Sequence, residues 1–283
     1  MFKNSVKTAA LLAGLGVLFM AVGSLFGTGG LVIGLALGLA VVGGSYWFSD
    51  KLAIRAAGAQ PVTEQQAPGL YAIVRDLTQR AGMPMPTIYI SPAQQPNAFA
   101  TGRNPEHAAV AVTQGLLQVV DEDELRGVLA HEISHVRHRD ILIASVAAAV
   151  AMAITFVAQM ALWNAFLGGG DDDDGGNVIG ALLMVVLAPI AATLLQATLS
   201  RSREFEADRG GAELVGNGEP LARALEKIER YAEQVPMRVD QAHASLFIVN
   251  PLTGRKMQFA NLFTTHPPTE ERVRRLRNVS VAS

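Results

Sequence analysis

The chain has 283 residues, half of them hydrophobic and 17% charged, with a formal net charge of −2 and no cysteine. Disulfides, thiol catalysis and Cys-ligated metal are therefore excluded, leaving histidine and carboxylates for any metal site. A mean hydropathy of +0.27 is too apolar for an ordinary soluble enzyme, and without a basic excess no nucleic-acid partner is expected.

The apolar residues gather into four runs, residues 8–26, 31–48, 141–167 and 178–199, none of which contains Asp, Glu, Lys or Arg. Each is long enough to cross a bilayer, for which about 17–25 residues are needed. Lys3 and Lys7 ahead of the first run would suit a signal peptide. However, Gly27-Thr28-Gly29-Gly30 leads straight into the second run with no small-residue cleavage site, so a membrane hairpin is the better reading. Lys3, Lys7, Lys51, Arg55, Arg137, Arg139, Arg201 and Arg203 all flank the runs on one side. The opposite loops have no Lys or Arg, and the second carries Asp171 to Asp174. The asymmetry predicts that both termini and both polar segments are cytoplasmic. The predicted organisation is a hairpin over 1–48, a cytoplasmic segment over 49–140, a second hairpin over 141–199 and a cytoplasmic segment over 200–283.

Within the first cytoplasmic segment, the spacing of Leu70, Ile73, Val74 and Leu77 predicts a helix over 64–80, ended by Gly82. Residues 87–90, 96–102 and 108–113 read as short strands of a small sheet, and 113–120 as a brief helix. Asn97, Ala98, Phe99 and Ala100 fit two readings equally. They form an edge strand on which an extended substrate pairs through its backbone, or an ordinary core strand with Phe99 buried. Asp121 and Glu124 then make a capping-box pair that starts a helix with Leu125, Val128, Leu129 and Ile133 on its apolar face. With no evident breaker, this helix is expected to run on into the third apolar run. His135 would then lie about 9 Å along the axis from the membrane boundary.

That helix carries His131-Glu132-Ile133-Ser134-His135, an HExxH motif. Histidines four apart lie one above the other and can grip one metal ion, and Glu132 is placed to take a proton from a water beside it. Two imidazoles with an open coordination position suit catalytic zinc. His138 shares the face of His135 but is about 10 Å along the axis from His131, so the three cannot share an ion. It is read as a surface or supporting residue at the membrane edge. Beyond the fourth run, Glu204 and Asp208 are also four apart, whereas Glu206 points about 160° away from Glu204. Either one of the pair binds metal while the other accepts a ligand's ring N–H, or both are solvated charges paired with Arg201, Arg203 or Arg209. Next come a helix over 220–234 with Leu221, Leu225, Ile228 and Ala232 inward, an aperiodic stretch over 235–263 and a last helix from 267–269 burying Val273 and Leu276.

HExxH near a span, Arg203-Glu204-Phe205-Glu206-Ala207-Asp208 after the next, Asn97 to Gly102 before the motif helix and Thr265-His266-Pro267-Pro268 near the end together resemble the HtpX family of integral-membrane zinc metallopeptidases. That family is related to the CAAX prenyl endoproteases. The resemblance implies a mainly α membrane protein with four transmembrane helices and a gluzincin-like α+β zinc metallopeptidase domain containing a small sheet. It makes Glu204 the third ligand of one Zn2+ per chain, with His131 and His135, and gives Asp208 the supporting role beside them. It also implies proteolysis of unfolded or membrane protein substrates in quality control and stress response at the bacterial inner membrane. Resemblance to the prenyl endoproteases offers His266 as a second donor to the oxyanion. On the residues alone, His266 equally reads as the position before a proline-started helix. Two rivals stand beside this reading. A CAAX-type processing peptidase would need more spans around a chamber, and a non-enzymatic membrane adaptor would not need Glu132.

Overall fold

The computed structural model describes residues 27–140, 201–234 and 267–279, together with Ile248 and isolated positions before residue 27. The expected runs over 8–26, 141–167 and 178–199 lie largely or wholly outside the described residues. So do the acidic loop at 171–174, the stretch over 235–263 (Ile248 excepted) and His266. The run over 31–48 falls within the helix α1 (Gly27–Ala56). Judged on the described residues alone, no helix is long and apolar enough to cross a membrane.

After α1 come β1 (Gln60–Pro61), α2 (Pro68–Ala81), β2 (Thr87–Ser91), β3 (Ala98–Gly102), β4 (Ala108–Thr113), α3 (Gln114–Val119) and α4 (Glu122–His138). Then follow α5 (Arg201–Val215), α6 (Glu219–Gln234) and α7 (Thr269–Arg277). Pro68 begins α2 where its missing N–H is harmless, and Gly82 ends it in the left-handed region at φ 66°, its N–H on the carbonyl of Gln79. The strands form a mixed sheet in the order β1-β2-β4-β3. β2 and β4 run parallel, with Ile88 opposite Val110, and β3 and β4 run antiparallel, with Phe99 opposite Ala111. β1 is a fourth strand beyond the three expected, joined antiparallel to β2.

Alternation along the strands divides the side chains between two layers. Ile88, Ala98, Val110 and Val112 face the main core. There they join Leu70, Ile73, Val74 and Leu77 of α2 and Val128, Leu129 and Ile133 of α4. Phe99, Ala109 and Ala111 face the other way, onto Ala53, Ile54 and Ala59 at and beyond the end of α1. Phe99 is therefore a core side chain, and at the same time β3 is an edge strand of the sheet.

One expectation is corrected here. The motif helix does not continue into residue 141. It stops at His138, and Arg139 adopts φ 56°, the one left-handed non-glycine among the described residues. The N–H of Arg139 closes on the carbonyls of His135 and Val136, so the chain turns off the helix axis at this point. The axial estimate for the distance from His135 to the boundary does not survive that turn.

Candidate metal centre

α4 begins as its sequence requires. Asp121 accepts from the N–H of Glu124 at 2.9 Å, and the Glu124 carboxylate accepts from the N–H of Asp121 at 3.0 Å. Lys227 of α6 donates to the same Glu124 carboxylate at 2.6 Å, tying the helix start to the core. Two turns further on, the rings of His131 and His135 stand nearly perpendicular, at 89°, with their Nε2 atoms 3.1 Å apart.

α5 brings the third group. A Cβ on Gly211 would sit 2.9 Å from the backbone nitrogen of His131, and one on Gly210 would collide with Ser134 Oγ. Only hydrogen at these two positions lets the helices pack this closely. Side by side with α4, α5 presents Glu204, whose Oε2 lies 3.7 Å from His131 Nε2 and whose Oε1 lies 3.6 Å from His135 Nε2.

These three residues form a group able to hold a metal ion. Zinc bonds of about 2.05 Å at tetrahedral angles put neighbouring ligand atoms about 3.3 Å apart, and the observed separations of 3.1–3.7 Å bracket that edge. The tautomers agree. Nδ1 of His131 donates to Asp208 at 2.9 Å and Nδ1 of His135 donates to Asp140 at 3.0 Å, so both Nε2 lone pairs point at one place. Charge agrees as well. Glu132, Asp140, Glu204 and Asp208 are buried with, among the described residues, only buried Arg203 and Arg272 to oppose them. Four negative charges against two positive leave −2, which one divalent cation neutralises. The residues fit the group.

Asp208 is anchored from behind by Arg272, which is 1% exposed. Its Nε and Nη2 donate to the two carboxylate oxygens at 2.9 and 2.7 Å, and its Nη1 donates to the Ile248 carbonyl at 2.8 Å. Burial alone would raise the pKa of Asp208, but Arg272 outweighs it and holds the carboxyl at about 2. For His135, burial pulls the pKa down and Asp140 more than restores it, pushing it up to about 10. A proton and a metal ion therefore compete for this imidazole. Burial raises the pKa of Glu132, against the histidines and the amide of Ala100. That amide, on β3, donates to Glu132 Oε2 at 2.9 Å.

The fold thus brings His131, His135, Glu204, Asp208 and Glu132 together. His138 is exposed on the far side of Ser134, its Nδ1 3.3 Å from Ser134 Oγ. Asn97 precedes β3, and its side chain accepts the N–H of Ile248 at 2.9 Å. The sequence reading does not single out Asp140 or Arg272. The first follows a helix end that the apolar run conceals. The second sits in an arginine-rich helix that reads as solvated, although its position four before Leu276 shares the buried face.

The sequence pattern of Peptidase family M48 matches residues 64–280. The chain belongs to peptidase family M48. Two relatives span nearly all of it. The Protease HtpX homolog of Burkholderia ambifaria is 50% identical over 281 residues, covering 98% of this chain and 97% of that protein. The Protease HtpX homolog of Pelotomaculum thermopropionicum is 48% identical over 282 residues, covering 98% and 100%. Among solved structures, Ste24p of S. mikatae matches with a TM-score of 0.52 at 20% identity, over 96% of this chain and 64% of Ste24p. At that identity the likeness shows the fold alone. Membership of M48 makes this chain a metalloprotease, and the resemblance to the HtpX proteases read from its motifs is borne out.

Proposed function

We propose that this M48 metalloprotease is a membrane-bound zinc endopeptidase that cleaves unfolded, misfolded or unassembled membrane proteins as part of quality control under stress. The observation that carries the reading is the convergence of His131, His135 and Glu204 on one point with the Glu132 carboxylate beside it. Zinc held by these three supplies a Lewis acid for the scissile carbonyl and makes water acidic enough to attack near neutral pH. Glu132 is the general base. It takes a proton from the attacking water and returns it to the leaving amine, and the elevated pKa that burial gives it suits both transfers. Asp208 and Asp140 hold the two imidazoles in the tautomer that ligation requires. His266 is proposed as a further donor to the developing oxyanion.

The outer edge of the sheet along β3, from Asn97 just before it through Ala98, Phe99 and Ala100, is proposed as the line on which substrate backbone pairs. Pairing through amides and carbonyls reads little side-chain sequence and suits a protease for unfolded chains. Phe99 supports that edge from the core rather than from the substrate side.

The membrane reading rests on the four uncharged apolar runs and on α1. Val32, Ile33 and Leu39 of α1 are exposed at 62–65%. Toward its end, Trp47, Phe48, Lys51, Leu52 and Arg55 fall on one face about 140° wide. Aromatic and basic residues at the end of an apolar helix suit the headgroup region of a bilayer. With the basic flanks on one side, the bacterial inner membrane with the catalytic segments and both termini in the cytoplasm is the proposed location.

Glu132→Gln tests the enzyme reading. Zinc content is expected to match that of the wild type, while cleavage of an unfolded substrate such as casein falls at least about 100-fold. Wild-type cleavage by this variant would remove Glu132 from the reaction.

A further inference from the structure

The two histidine arms of the site are not equally complete. On the His131 arm, Asp208 takes the ring N–H and Arg272 clasps both oxygens of Asp208. On the His135 arm, Asp140 Oδ2 takes the ring N–H at 3.0 Å, but Asp140 Oδ1 is buried with no hydrogen-bond partner among the described residues. Buried nearby is a donor in the same condition. Arg203 is 8% exposed, and its Nε also has no partner among the described residues. Leaving a buried donor and a buried acceptor orphaned is unfavourable for both, and each is what the other needs. Burial lowers the pKa of Arg203, and the carboxylates that oppose that shift are Asp140 first, then Glu204 and Glu206.

We propose that Arg203 is the positioning residue of the second arm, pairing with Asp140 so that Arg203, Asp140 and His135 mirror Arg272, Asp208 and His131 when metal is bound. The proposal rests on the metallopeptidase reading of the site. Two features bear on it beyond the orphaned atoms. Arg203 adjoins the ligand Glu204 on α5, so one rigid helix carries both the carboxylate that binds metal and the cation that steadies a histidine on α4. The arginine also belongs to the charge balance. Without it, the buried groups and one dication would sum to −1 rather than zero. Arg203 touches neither substrate nor metal in this scheme; it acts through Asp140 on the orientation of the His135 ring. Exposed Arg209, by contrast, has no part in it.

The test is zinc affinity, measured by competition with a chromophoric chelator on the full-length protein in detergent, together with the visible spectrum of the cobalt-substituted protein. Arg203→Gln is expected to weaken zinc binding about 10–100-fold and to shift the cobalt bands, as losing a ligand's hydrogen-bond partner does. Asp140→Asn should weaken it in the same range, and the double variant little further, because both changes act through one contact. Arg203→Lys, which keeps the charge, should recover part of the loss. Affinity within about two-fold of wild type for a folded Arg203→Gln, or losses that multiply in the double variant, would overturn the proposal. If Arg203→Gln does not fold, Arg203→Lys decides the matter. A loss in the wild-type background that vanishes beside Asp140→Asn supports the pairing, and an equal loss in both backgrounds overturns it. A wild-type protein that binds no zinc would instead defeat the metal-centre reading itself, so the two failures are distinguishable.

Discussion

Asp208 keeps a full negative charge where water scarcely reaches it, because Arg272 supplies two charge-assisted hydrogen bonds at fixed geometry. Removing one partner of such a pair strands the other. Arg272→Met should therefore destabilise the protein by about 3–5 kcal/mol in denaturant unfolding, with zinc affinity falling alongside. Its pH dependence has a definite sign. The pKa of Asp208 is depressed from 3.8 to about 2 in the folded state, so its contribution is fully present above about pH 4 and is lost as the pH falls toward 2. The size is on the order of 2 kcal/mol. Urea midpoints of a chelator-stripped sample should fall over that window in the wild type and stay flatter in Asp208→Asn. His135 has the opposite sense. Its pKa of about 10 means that zinc uptake near neutral pH must expel a proton, which an indicator dye in weak buffer would register. His131, Glu132 and His135 were legible because HExxH is a local pattern, whereas the carboxylate pair at four-residue spacing left two readings open and only the family resemblance made Glu204 the expected third ligand. Arg272 was not, since the charge-rich Thr269–Arg277 text gives no local sign that one of its arginines is 1% exposed.

At the scale of elements, the site depends on how closely α5 lies against α4. Two successive glycines within a helix cost about 1 kcal/mol each in propensity, and their location explains that cost. Gly211→Ala should gain propensity yet lose overall. Its methyl would press on the His131 backbone, moving Glu204 out of reach, so zinc content should drop and the melting temperature should not rise. Gly82, already in the left-handed region with open space around it, serves as the control, since Gly82→Ala should cost about 1 kcal/mol without touching zinc binding. The glycine pair was visible in the sequence, but a composition-level reading takes glycine as flexibility rather than proximity. β1 escaped notice for a different reason, two residues being too few to show alternation. The helix end at Arg139 was hidden because a left-handed arginine leaves no mark in the sequence comparable to a glycine.

Over the whole molecule, with both imidazoles neutral and Glu132 ionised a dication balances the buried charges of the centre, so metal binding and folding should be coupled. Chelation should lower the melting temperature, and restoring zinc should recover it. With zinc at about 100 times its dissociation constant the stabilisation is about 2.7 kcal/mol, and Glu204→Ala should abolish it. The sheet and the helices on its core side were largely legible from hydrophobic period, because each element buries one face. The joining of distant segments was suggested by the predicted hairpins, which return both polar segments to one side, and by the family resemblance, since periodicity says nothing of which helix meets which.

The contact between Arg272 and Asp208 also has a consequence for how the protein comes into being. The motif helix, the carboxylate helix and α7 are read out by the ribosome in that order. Until α7 docks, Asp208 lacks its cation and His131 its anchored partner. A copy whose α7 has not yet docked therefore holds an unfinished centre, and the order of translation makes this contact the last part of it to be put in place.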